Sequence, residues 1–176
     1  MLTIPTILTI GRLLMLPFLI WALLSGSLWL AFGLYVVGAV TDWLDGWIAR
    51  RFDMVSAFGT FLDPVSDKIY VCSVFLALIA AEHVGVFGLS AMILILAREF
   101  MVSGLREYLG PKNLKLPVSK LAKWKTAVQM IATGALILVP FSPLIALVGL
   151  LGLGIAALLT WATGWNYLKT ALAHMR

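Results

Sequence analysis

Four carboxylates, Asp42, Asp45, Asp63 and Asp67, lie within the stretch TDWLDGWIARRFDMVSAFGTFLDPVSD, inside or beside segments that otherwise read as membrane-spanning. An ionised carboxylate at the centre of a membrane helix costs about 2.5–3.5 kcal/mol on insertion scales, and clustered carboxylates also repel one another. Something positive must offset them. On a helix, Asp42, Asp45, Gly46 and Ala49 fall on one stripe, with small residues leaving room beside the two charges. Asp63 and Asp67, four residues apart, share a second face. Oxygen donors on rigid helices suit Mg²⁺ or Mn²⁺, and four carboxylates balance two such ions. Neither His nor Cys sits in the cluster, which disfavours zinc. A two-metal site clamps an in-line displacement at phosphorus, with a remaining Asp to take a proton from an attacking hydroxyl.

Three other readings compete. The carboxylates could form intramembrane salt bridges with Arg50, Arg51 and Lys68 that serve packing alone. A cation transporter would also carry acidic residues, but distributed along a path through the membrane rather than gathered at one depth. A non-catalytic scaffold would tolerate neutralisation of the whole set.

The elements that must position these groups follow from composition. Of 176 residues, 62% are apolar and 12% charged, half the charged fraction of an ordinary soluble domain, so the chain reads as an integral membrane protein. Apolar runs near 7–24, 28–49, 60–81, 86–108, 119–140 and 144–168 predict six transmembrane helices in an all-α fold and a single domain over 1–176. No run alternates with period two, so a barrel is disfavoured. Pro64, directly after Asp63, predicts a helix beginning near residue 60, with the proline in its first turn. The first run lacks a basic leader and a small-residue cleavage site and is expected to be retained. Cys72 is the only cysteine and lies in an apolar run, which excludes an intramolecular disulfide and predicts a small core residue.

The net charge of +5 is not spread as a nucleic-acid-binding surface would be. Arg50 and Arg51, then Lys112, Lys115, Lys120, Lys123 and Lys125, then Lys169 and Arg176 fall at alternate connections and at the C-terminus. The turns at 25–28, 82–85 and 140–143 contain no Lys or Arg. By the positive-inside rule both termini, the charged loops and the carboxylates face the cytoplasm. The basic excess suits membrane lipids or an anionic substrate, and no nucleic acid is expected.

Written as a pattern, Asp42, Asp45, Gly46, Ala49, Arg50, Gly59, Asp63 and Asp67 give D-x-x-D-G-x-x-A-R, eight residues, then G-x-x-x-D-x-x-x-D. This resembles the signature of the CDP-alcohol phosphotransferase family at every fixed position. The resemblance implies a six-helix fold and a reaction in which an alcohol attacks a CDP-linked substrate and releases CMP. It also implies metal ligands at Asp42, Asp45 and Asp63, and a general base and further ligand at Asp67. Gly46, Arg50 and Ser56 match positions that contact the CDP moiety, as does the signature's Gly59; Pro5, Thr6 and Thr9 match residues lining the nucleotide pocket.

Within the family, IPTILTIGRLLMLP, LAREFMVSGLRE and KLAKWKTAVQM are similar to the bacterial branch that joins CDP-diacylglycerol to sn-glycerol 3-phosphate. An acceptor carrying its own phosphate needs fixed cations, and Arg98, Arg106 and Lys125 are expected to supply them. For Arg98 the alternative is an ion pair with Glu99, and for Arg106 a solvated helix end. Serine, inositol phosphate or a phospholipid as acceptor would keep the chemistry and change only these contacts. The resemblance also implies a homodimer.

Overall fold

The computed structural model describes residues 3–54, 56–110 and 120–173, and among them every regular element is helical. Six long helices follow in order: α1 (Ile4–Leu24), α2 (Leu28–Phe52), α3 (Ala57–Ala80), α4 (Val86–Leu109), α5 (Lys120–Ile137) and α6 (Pro143–Ala173), with a 3-10 turn at Val139–Phe141. The six-helix expectation is met, with boundaries within a few residues of the apolar runs except at the end of α6. By length and composition, Ile4–Leu24, Leu28–Ala49, Val86–Leu109 and Pro143–Lys169 can each cross a membrane, which marks a membrane protein. The other two helices carry the charge clusters: Asp63, Asp67 and Lys68 in α3, and Lys120, Lys123 and Lys125 in α5.

The helix ends have local causes. Pro5 sits in the first turn of α1, where its missing donor costs nothing. The turn into α2 passes through Gly26 at φ 80°, a conformation that favours glycine. Asp53 ends α2 in the left-handed region, φ 51° and ψ 36°, which Asp tolerates better than most residues. Ser56 starts α3 as its N-cap, its Oγ accepting from the Gly59 amide at 3.0 Å. That cap places the start at Ala57 rather than near residue 60, so Pro64 lies inside α3 and not in its first turn. The Pro64 carbonyl accepts from Lys68 Nζ at 2.7 Å.

Packing divides the chain into two compact units, Met1–His83 with Ile137–Phe141, and Val84–Leu136 with Ser142–Arg176. In the first, α1 packs against both α2 and α3, and Leu19, Ala22, Leu23, Ala31, Val74, Phe75 and Leu78 are buried. Cys72 is only half-buried there, so it is not the core residue expected. In the second, α4 packs against α6, and Met92, Ile95, Leu136, Leu153 and Ala156 are buried. Small residues let the helices of this unit approach closely: a Cβ added at Gly149 would come within 2.9 Å of the Leu136 side chain, and one at Gly152 within 3.0 Å of Ala132 Cβ. Leu14, Phe18, Trp21, Leu144, Leu151 and Leu158 point outward, as lipid-facing residues do.

Candidate functional sites

In the first unit the polar residues of α1 gather all four carboxylates. Pro5, Thr6, Thr9 and Arg12 are buried on that helix. Thr9 Oγ1 lies 3.3 Å from Asp45 Oδ2 on α2, 3.2 Å from Asp63 Oδ1 on α3 and 3.0 Å from the Pro5 carbonyl. Its single hydrogen serves one of these acceptors at a time, so Asp45 and Asp63 converge on a donor that satisfies them only in part. One turn further along α1, Arg12 spans the other two carboxylates. Nη1 pairs with Asp42 Oδ1, and Nη2 reaches Asp67 Oδ1 at 2.8 Å and Ser66 Oγ at 2.9 Å. The guanidinium carbon stands 5.7 Å from the centre of the Tyr70 ring.

Most of the residues singled out from the sequence in this region come together, though not always in the expected way. Ser56 hydrogen-bonds Thr6 Oγ1 at 3.2 Å, linking the start of α3 to α1, while it also caps α3. A Cβ at Gly59 would stand 3.0 Å from both of those hydroxyl oxygens, so the signature glycine leaves room for the pair. Gly46 is half-exposed on α2 directly after the buried Asp45. The side chain of Arg50 lies outside the described residues. Among the described residues the ion pairs of Asp42 and Asp67 are with Arg12, a partner the salt-bridge alternative did not name, and Lys68 bonds a backbone carbonyl. Arg12 was the residue that one-dimensional reading passed over. Its signal was present, because an arginine inside an apolar helix is by default a functional candidate.

The second unit holds a basic cluster built around Arg98, which is 4% exposed. Arg98 Nη2 donates to Thr163 Oγ1 on α6 at 3.0 Å, and Nη1 donates to Glu99 at 3.2 Å. The same Glu99 oxygen pairs with Lys125 Nζ from α5, and Lys125 is buried. The guanidinium carbons of Arg98 and Arg106 stand 5.6 Å and 5.5 Å from the centre of the Tyr167 ring. The three cations selected from the sequence are therefore assembled through two shared partners, Glu99 and Tyr167. The Arg98–Glu99 ion pair raised as an alternative is present, but with Lys125 on the same carboxylate it leaves positive charge over. Arg106 is exposed, as a helix-end residue would be. Lys112 and Lys115, and the side chains of Lys120 and Lys123, lie outside the described residues.

Donor chemistry decides whether the acidic cluster fits a metal. Among the described residues no three His, Cys, Asp or Glu side chains are drawn together closely enough to hold an ion as they stand. The carboxylates nevertheless converge in pairs, Asp45 with Asp63 on a hydroxyl and Asp42 with Asp67 on a guanidinium, and all offer oxygen alone. Anionic oxygens gathered on one donor face, two of them on a guanidinium and two on a single hydroxyl that cannot satisfy both, fit a hard divalent cation.

Residues 2–166 match the model of the family described as CDP-alcohol phosphatidyltransferase. A protein of Rickettsia felis, named CDP-diacylglycerol–glycerol-3-phosphate 3-phosphatidyltransferase, is 41% identical over 172 residues, 94% of this chain and 93% of its own length. A protein of Haemophilus influenzae with the same name is 35% identical over 96% of this chain and 92% of its own length. One from Arabidopsis thaliana, named as form 1 of that transferase, chloroplastic/mitochondrial, is 39% identical over 74% of this chain and 49% of its own length. The match spans both packed units, and the motif carboxylates it contains are those gathered by Thr9 and Arg12: this chain belongs to the CDP-alcohol phosphatidyltransferase family, whose enzymes generally depend on a divalent metal.

Proposed function

We propose that the protein transfers the phosphatidyl group of CDP-diacylglycerol to sn-glycerol 3-phosphate, forming phosphatidylglycerophosphate and CMP. The observation that carries the reading is the convergence of Asp42, Asp45, Asp63 and Asp67 on one polar face of α1. Relatives that bear this activity in their names align over almost the whole chain and support the choice of substrates.

In this mechanism Asp42, Asp45, Asp63 and Asp67 hold two divalent ions, Mg²⁺ or Mn²⁺. When bound, the metal supplies charge neutralisation of the pyrophosphate and of the leaving phosphate. Asp67, whose side chain is 54% exposed, takes the proton from the 1-hydroxyl of glycerol 3-phosphate as its oxygen attacks the phosphatidyl phosphorus. The bond from that phosphorus to the CMP oxygen breaks, and CMP leaves with the electron pair. Gly46, Gly59 and Ser56, with Pro5, Thr6 and Thr9, border the nucleotide, and Arg50 holds its phosphate. Arg98, Arg106 and Lys125 bind the phosphate of the acceptor, a dianion suited to two guanidinium forks and an ammonium. The chain acts as one functional domain in a bacterial inner membrane, with both termini and the chemistry toward the cytoplasm, and as a homodimer.

CMP release by purified protein in mixed micelles tests the reading, with CDP-diacylglycerol, Mg²⁺ and a panel of acceptors. Release dependent on glycerol 3-phosphate is expected. Release with serine or inositol instead would retain the roles of the carboxylates and overturn those of Arg98, Arg106 and Lys125, whereas release with inositol phosphate would retain both sets of roles and overturn only the choice of glycerol 3-phosphate. Folded protein that released no CMP with any acceptor would overturn the enzymatic reading.

A further inference from the structure

The cation beneath the carboxylates in the first unit has a geometry that its role as a countercharge does not require. Arg12 is 4% exposed, whereas the Asp42 and Asp67 side chains that it holds are 39% and 54% exposed. The guanidinium therefore lies behind the carboxylates, and a solute arriving from the accessible side meets oxygens first. Its fork is divided between two helices, Nη1 on Asp42 of α2 and Nη2 on Asp67 and Ser66 of α3. Ser66 is fully buried and fixed in turn by donating to the Asp63 carbonyl at 3.0 Å. The ring of Tyr70 bounds the guanidinium further.

We propose that Arg12 is a positioning residue that orients Asp42 and Asp67 for a divalent cation and remains in place when the cation binds. This rests on the reading of those carboxylates as metal ligands. A planar group with two donors at fixed separation sets the relative orientation of two carboxylates on different helices, which an ammonium cannot do. Hydrogen bonds from behind a ligating carboxylate are what hold its outer lone pairs on a metal. An exchangeable stand-in for the metal would instead occupy the accessible side and leave on loading. The two roles differ in sign. Removing a positive charge from beside a cation site tightens binding by Coulomb's law, so an Arg12 that merely competes or counterbalances would weaken metal affinity by its presence. A positioning Arg12 strengthens it.

The test is Mn²⁺ binding to the full chain in detergent without CDP-lipid, read from the paramagnetic resonance signal of free Mn²⁺. Arg12→Gln and Arg12→Lys are each expected to weaken affinity by about tenfold or more, the usual cost of losing an outer-shell partner, with no rescue by the lysine. Ser66→Ala, which leaves all charges in place and removes only the hydroxyl holding Nη2, is expected to weaken it by a smaller factor. Unchanged or tighter binding in folded Arg12 variants would overturn the proposal. If those variants fail to fold, unchanged binding in Ser66→Ala overturns it instead. Wild-type protein that binds no Mn²⁺, or binds it equally well as Asp63→Asn, would defeat the reading of the carboxylates as ligands, an outcome distinct from failure of the role given to Arg12.

Discussion

The two packed units each bury an arginine, and each arginine is 4% exposed with a buried Nε that has no hydrogen-bond partner among the described residues. Their surroundings are opposite. Arg12 faces two carboxylates directly and has two more within reach of the same helix, whereas Arg98 shares a single glutamate with Lys125 and an aromatic ring with Arg106. The same side chain thus serves as a minority charge in an acidic cluster and as a member of a basic one. On the proposed function, what each cluster would attract follows from its excess: a cation in the first unit, a phosphate in the second. Burial matters to both, because charges withdrawn from water act on a ligand with less screening.

Perturbing one excess should leave the other untouched, and the effects fall in order. Removing divalent metal with a chelator, or replacing Asp67 by Asn, is expected to lower CMP release by roughly a thousandfold or more, since metal and general base are both lost or impaired. The chelated enzyme should recover with Mg²⁺ or Mn²⁺. A folded Asp67→Asn variant with near-normal turnover would break the comparison outright.

Next comes Arg98→Ala, expected to raise the KM for glycerol 3-phosphate by roughly thirtyfold, the equivalent of about 2 kcal/mol for a buried charge-assisted contact. The constant for CDP-diacylglycerol should stay unchanged. A rise in both constants would mean that the basic cluster is not specific to the acceptor.

Gly164→Ala sharpens the same point without altering charge. Its Cβ would come within 2.8 Å of Arg98 Cγ and 3.0 Å of Nε, so Arg98 must shift. A rise of up to about tenfold in the same KM is expected from such misplacement. An unchanged constant would show that charge, not placement, governs that cluster. The smallest effect belongs to Arg106→Ala. Exposed and resting over Tyr167, Arg106 contributes on the order of 1 kcal/mol, so the acceptor KM should rise by about two- to fivefold. A larger effect than that of Arg98→Ala would reverse the ranking that burial predicts.

Some features were open to reading in one dimension because their cause is local. Helices show in apolar runs of spanning length, and the D-x-x-D-G-x-x-A-R and G-x-x-x-D-x-x-x-D spacings put carboxylates on common faces through helical periodicity alone. The start of α3 was misjudged because Pro64 is a louder signal than Ser56, whose capping bond to Gly59 sets the boundary. Ser56 and Gly59 were matched to the nucleotide through the signature; the packed chain adds a hydroxyl pair with Thr6 that needs both.

Composition and spacing were enough to establish a helical membrane protein with an acidic, oxygen-only motif, because hydrophobic length and the 3.6-residue repeat are properties of neighbouring residues. Only packing revealed that Arg12 joins Asp42 to Asp67, that Thr9 reaches Asp45 and Asp63, and that Glu99 and Tyr167 tie three separate cations together. Apart from the adjacent Arg98–Glu99 pair on α4, those contacts cross between helices, and nothing in the order of residues along the chain sets which face of α1 turns toward α2 and α3, or which face of α4 turns toward α6.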